Sequence, residues 1–101
     1  MNARVSLDPY EALYECVTLD AATARAASVA TLIEPRMVTY YDLAATLHEL
    51  EAAHRQARQL GRVIGRSPLR PWLSRLLRTQ RALVKQLRAA MKERTEHLAL
   101  P

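Results

Sequence analysis

Apolar residues recur along this chain at steps of three and four, the spacing of one face of an α-helix, and prolines and glycines cut the pattern into three runs. The first opens at Asp8-Pro9-Tyr10-Glu11. There an aspartate can cap the free N–H groups, proline fits the first helical position, and Glu11 stands where a capping box closes. Tyr10, Leu13, Tyr14, Val17, Ala21 and Ala24 follow at helical spacing, and an alanine-rich stretch runs to Ile33 before Glu34-Pro35 ends the helix. The pattern predicts a helix over 8–34, with a break near Thr18 and a restart at Asp20 left open. The second run is capped by Thr39 with Asp42 three residues on, and its seam reads Tyr40, Leu43, Leu47, Leu50, His54, Ala57. This alternation of three and four suits shallow-angle packing of the bundle or coiled-coil kind, and Gly61 after Leu60 is the expected stop, giving a helix over 39–60.

The third run is the longest. Pro68 and Pro71 sit where a first helical turn tolerates a missing N–H, and Leu69, Trp72, Leu73, Leu76, Leu77, Leu83, Val84, Leu87, Ala90 and Met91 make a broad apolar face over 68–97. The expected architecture is all-α. Helices two and three form an antiparallel hairpin with an N-terminal helix beside it, in a single domain over 1–101. A chain of this size has a modest core and is expected to gain burial by self-association, with Leu43, Leu47, Leu50, Trp72, Leu76, Leu83 and Leu87 as core and inter-subunit packing residues. Trp72 is read as an anchor at the helix start in preference to a platform for a stacked base.

Charge changes the picture more than composition does. From Met1 to Ala53 three cations face eight carboxylates, a balance of −5, whereas from His54 to Pro101 twelve Lys and Arg face two glutamates, a balance of +10. On the third helix Arg78, Arg81, Lys85, Arg88 and Lys92 recur at steps of three and four, so at about 100 degrees per residue they share one narrow stripe free of carboxylates. Such a stripe calls for a polyanion, for acids from another segment of this or a neighbouring subunit, or for simple solvation.

Other chemistry is poorly supported. Gly61-Arg62-Val63-Ile64-Gly65-Arg66-Ser67 is one residue short of a phosphate loop, has Arg66 in the lysine position and follows no strand, so it reads as a helix stop and turn. His48-Glu49 lacks a second histidine four residues after the first, since His54 comes six on, and Glu51-x-x-His54 is a single copy of a motif that di-metal sites need twice. His54 on a helix seam reads as a packed residue or a register device. Cys16 sits among apolar neighbours as a small hydrophobe, no serine or cysteine has a paired base, and His97 lies near the end of the last helix, so neither an enzyme nor a metal or cofactor is expected. The longest uncharged run, Ala26 to Ile33, falls far short of the ~20 residues that cross a bilayer, and the amino terminus lacks a secretory layout. A cytoplasmic protein without a membrane partner is expected.

The segment from Tyr41 to Gly61, of the form YxLxxxLxELExAxxxxxxLG, is followed by Ser67-Pro68, by LRPWLSRLLRTQRALVKQLRAAM, and by Leu98-Ala99-Leu100-Pro101. That order resembles the short terminase small subunits of tailed phages and prophages, over roughly the last sixty residues. The resemblance implies a non-enzymatic packaging adaptor in a bacterial host cell: a homo-oligomer that engages double-stranded DNA and delivers it to the large terminase subunit. Arg78, Arg81, Lys85, Arg88 and Lys92 would then contact phosphates. A reading of another class stays open, a helical protein–protein module such as an antitoxin-like regulator or phage-encoded inhibitor whose basic helix docks on an acidic protein.

Overall fold

The structure, a computed structural model, describes residues 8–99, and the side chains of residue 8 and of 10–95. His97, as a side chain, and the closing Leu100-Pro101 of the family-like ending lie outside the described residues. Three helices follow one another: α1 (Pro9–Ala30), α2 (Tyr40–Ile64) and α3 (Arg70–Ala99). They run up, down and up in a rod of 61 × 25 × 18 Å, with the closest packing between α2 and α3. The described residues hold no strand, and none of their helices is long and apolar enough to cross a membrane.

The starts of α1 and α2 follow from their capping residues. Asp8 accepts a hydrogen bond from the Tyr10 N–H at 2.8 Å. Thr39 and Asp42 form a reciprocal capping box: the Thr39 hydroxyl accepts from the Asp42 N–H at 3.0 Å, and the Asp42 carboxylate accepts from the Thr39 N–H at 3.3 Å.

The helix ends fall elsewhere than the sequence pattern predicts. α1 stops at Ala30, short of residue 34, and tightens through Leu32 N–H to Val29 and Ile33 N–H to Ala30 bonds. Arg36, at φ 56, then closes a Schellman turn, with Arg36 N–H bonded to Ile33 and Met37 N–H to Leu32. Nothing interrupts α1 near Thr18, whose hydroxyl bonds back to the Tyr14 carbonyl within the helix. Gly61 does not stop α2. The helix runs through it to Ile64, and the turn falls at Gly65, whose φ of 57 is the left-handed value glycine allows. A Cβ at Gly61 would lie 3.4 Å from the Leu73 Cδ2 of α3, at the edge of ordinary van der Waals contact, so the helix can continue through this position. α3 starts at Arg70, so Pro71 lies in its first turn and Pro68 precedes it.

Two apolar clusters fill the interior. One gathers Leu43, Leu47 and Leu50 of α2, Leu83 and Leu87 of α3, and Ala26 and Ala30 of α1. The other joins Cys16 and Leu19 of α1 with Ala57, Leu60, Leu73 and Leu76, with Trp72 half-buried at its edge. The face α1 turns inward is Ala12, Cys16, Leu19, Ala22, Thr23, Ala26 and Ala30. The apolar positions that mark this helix in the sequence therefore point the other way: Tyr10, Leu13, Tyr14, Val17, Ala21 and Ala24 are all exposed. Around Leu19, small side chains bring α1 close to the hairpin, while Tyr10, Leu13, Tyr14 and Val17 are left outside.

Between the clusters lies a polar layer with one member from each helix. Gln80 of α3 is fully buried. Its carbonyl accepts from His54 Nδ1 at 2.8 Å, and its amide donates to the Thr23 hydroxyl at 3.2 Å, which in turn donates to the Leu19 carbonyl at 2.8 Å. Each donor meets one acceptor, which assigns the His54 proton to Nδ1. Among the described residues no buried side-chain nitrogen or oxygen lacks a partner.

Candidate functional site

The five cations of the third helix keep the arrangement their spacing implies. Leu73, Leu76, Gln80, Leu83, Leu87 and Ala90 bury one side of α3, so Arg78, Arg81, Lys85, Arg88 and Lys92 fall on the opposite side, and all five are exposed. At 1.5 Å per residue the stripe runs about 21 Å along the axis. It has two edges. Arg81 and Arg88 lean toward α2 and line a cleft of about 280 Å³ with Glu51, His54, Arg55 and Val84. Arg78, Lys85 and Lys92 lie outward of that cleft.

The hairpin enlarges this surface with residues the sequence reading left out. Glu51 and Arg55 of α2 line the cleft, and Arg58 and Arg62 continue the same helical line toward Gly65 at steps of three and four; all three arginines are exposed. An antiparallel partner helix lays its own arginines beside those of α3, a juxtaposition invisible until the pairing of the two helices is known. Seen alone, Arg55, Arg58 and Arg62 read as ordinary solvated charges.

One acid enters the cluster. Glu51 pairs with Arg88, whose side chain is 63% exposed. Among the described residues the remaining ion pairs lie elsewhere: Arg25 of α1 meets Glu49 of α2 at 2.7 Å, and Arg36 meets Glu93 at 3.6 Å. Arg78, Arg81, Lys85 and Lys92 have no carboxylate within ion-pair distance in the described structure. The α1 carboxylates are held away from them. α1 packs on the other flank of α3, where Asp20 and Ala24 share a shallow groove with Trp72, Arg75 and Thr79.

Two further arginines serve the fold. Arg70 donates from Nε to the Gly65 carbonyl and from a terminal nitrogen to the Gly61 carbonyl at 2.7 Å, closing the open end of α2. Arg94 donates to the Val38 carbonyl and ties α3 to the α1–α2 turn.

Little in the described residues supports metal or nucleophile chemistry. No group of three or more His, Cys, Asp or Glu is placed to hold an ion. Glu51 and His54 are turned to Arg88 and Gln80 respectively. Cys16 is buried, and burial, followed by the nearby Asp20 and Glu15 carboxylates, raises its pKa above the ordinary value, which keeps the thiol protonated and unreactive.

The chain matches no family model, no curated protein and no solved structure. The geometry of the hairpin must therefore carry the functional argument.

Proposed function

We propose that this protein is a non-enzymatic DNA-binding adaptor of the terminase small-subunit kind, which assembles with copies of itself, grips double-stranded DNA through the basic side of the α2–α3 hairpin, and presents it to a large terminase subunit. One observation carries the DNA-binding step: eight cations from two helices share a side of the molecule on which, among the described side chains, Glu51 is the lone acid. The packaging step rests on the resemblance of residues Tyr41 to Pro101 to that family.

A stripe about 21 Å long exceeds the ~12 Å width of a major groove, so it can meet phosphates on both sides of one groove. Each Lys or Arg that neutralises a phosphate releases condensed counterion. Three such contacts from one copy, by Arg78, Lys85 and Lys92 outward of the cleft, would give a salt slope of about −2.7, or roughly 40-fold loss of affinity between 50 and 200 mM salt. Phosphate contacts carry no sequence information, so binding by this surface is sequence-tolerant.

The test is an anisotropy titration of duplex DNA with the wild-type chain and with Arg78→Glu/Lys85→Glu, two exposed positions outward of the cleft. The expected result is weaker binding to every duplex alike, with the salt slope flattened by about 2. Unchanged affinity and slope would overturn the assignment. The packaging step predicts co-elution with a large terminase subunit on size exclusion, and independent migration of the two would remove it.

A further inference from the structure

The outward face of α1 gathers four of the large apolar side chains that the described surface exposes. Tyr10 and Tyr14 are 83% and 74% exposed, and Leu13 and Val17 are 58% and 61% exposed. Counting each tyrosine at about 200 Å², these four side chains offer on the order of 500 Å² of apolar surface in one patch, well above what scattered surface residues produce. The exposed Ala21 and Ala24 extend the same line. With its flanks the patch approaches the ~800 Å² that each partner gives to an ordinary protein interface.

Charge selects the occupant. Between Asp8 and Ala24 the chain carries Asp8, Glu11, Glu15 and Asp20 and no lysine or arginine. Packing two such helices against each other would gather eight carboxylates around one contact, and like charges across an interface are strongly disfavoured. The complementary surface is present on the same molecule. The α2–α3 cleft is walled by Arg55, Arg81 and Arg88 against a single carboxylate, Glu51, which pairs with Arg88, so its balance is positive, and the half-buried Val84 gives it an apolar floor. Guanidinium groups also stack favourably on tyrosine rings.

We propose that the outward face of α1 docks into the α2–α3 cleft of a second copy of the chain, with Tyr10 and Tyr14 against Val84 and the guanidinium groups, and Glu11 and Glu15 facing the arginines. This deepens the proposed function, which assumes self-assembly without saying which surfaces meet. Each copy presents one face and one cleft, so the contact is head-to-tail and assembly continues to a closed ring or a filament. Arg78, Lys85 and Lys92 stay open to DNA in every copy.

The experiment uses two variants of the full chain, each altered only at exposed positions: Tyr10→Ser/Leu13→Ser/Tyr14→Ser, which lacks the face, and Arg55→Glu/Arg81→Glu, which lacks the cleft. Light scattering after size exclusion at 50 mM salt, with circular dichroism to confirm folding, should find the wild-type chain larger than a dimer. Each variant alone should be monomeric, with self-affinity reduced at least tenfold, and their equimolar mixture should give a 1:1 dimer that grows no further. A cleft variant that still dimerises alone would show α1 pairing with α1 and overturn the proposal, as would a wild-type monomer or a mixture of folded variants that does not associate. The duplex titration of Arg78→Glu/Lys85→Glu is a separate measurement, so failure of assembly and failure of DNA binding are distinguishable.

Discussion

Replacing Gln80 tests whether the polar layer joining the three helices contributes to stability or merely sits in the core. Gln80→Ala removes two hydrogen bonds, from His54 and to Thr23, each worth about 1 kcal/mol net, and leaves a void in a fully buried site. Together these amount to about 3 kcal/mol, a large share of the roughly 5–15 kcal/mol that stabilises a small domain. At about 4–8 °C per kcal/mol the melting temperature should fall by on the order of 15 °C. Gln80→Leu restores the volume yet leaves the His54 Nδ1–H without its acceptor, so it should cost less, about 1–2 kcal/mol. Adding His54→Leu removes the stranded donor too. The double variant should therefore be more stable than the two single losses added together predict, by at least 1 kcal/mol. Urea denaturation followed by circular dichroism at one protein concentration measures all four members of the cycle. Additive losses, or a Gln80→Leu chain at least as stable as the wild type, would refute the claim that these side chains stabilise the fold as a unit.

Four other outcomes follow from particular contacts. Arg36→Gly should stabilise the protein by about 0.5–1 kcal/mol in thermal melts, because glycine takes the left-handed conformation without strain and the exposed pair with Glu93 is worth little. Arg70→Met should cost about 1 kcal/mol and speed amide exchange near Ile64, since the last carbonyls of α2 lose their donors. Glu51→Gln removes the carboxylate paired with Arg88 in the cleft, so self-association followed by light scattering should tighten, with thermal stability changed by less than about 1 kcal/mol. The raised Cys16 pKa favours the protonated thiol in the folded chain; its stabilising contribution is whole below the ordinary value of 9.0 and is lost as pH rises beyond it. Wild-type stability should accordingly fall more steeply above about pH 9 than that of Cys16→Ala, and parallel curves would disprove the shift.

The hairpin was legible in the sequence because its buried residues are large. Leu43, Leu47 and Leu50 on α2 and Leu76, Leu83 and Leu87 on α3 mark the inward faces by size as well as by spacing. α1 is different, since residues of low polarity lie on both of its sides. Tyr10, Leu13, Tyr14 and Val17 mark the outer face by size, yet the inward face is Leu19 with alanines, Cys16 and Thr23, because close approach of helices depends on small side chains and not on hydropathy alone. Gln80 carried no signal, because a polar residue in an arginine-rich helix reads as surface until its partners Thr23 and His54, from two other helices, are known. The stripe on α3 was readable within one helix, whereas its extension by Arg55, Arg58 and Arg62 depends on the register of the hairpin.

The inward face chosen by α1 also fixes the polarity of the whole molecule. Had Tyr10 and Tyr14 turned inward, their hydroxyls would have needed partners in a core whose polar layer is already satisfied by Thr23, His54 and Gln80. With the small face inward, α1 settles on the Trp72 and Arg75 flank of α3 with Asp20 beside them, while Glu11 and Glu15 flank the exposed Tyr10 and Tyr14. Among the described side chains the opposite flank keeps its arginines and one acid, Glu51. A chain with these charges could have cancelled them internally by laying α1 against the cations. By holding them apart it exposes an acidic apolar face and a basic cleft, and both surfaces then gain most by meeting charges from outside the molecule.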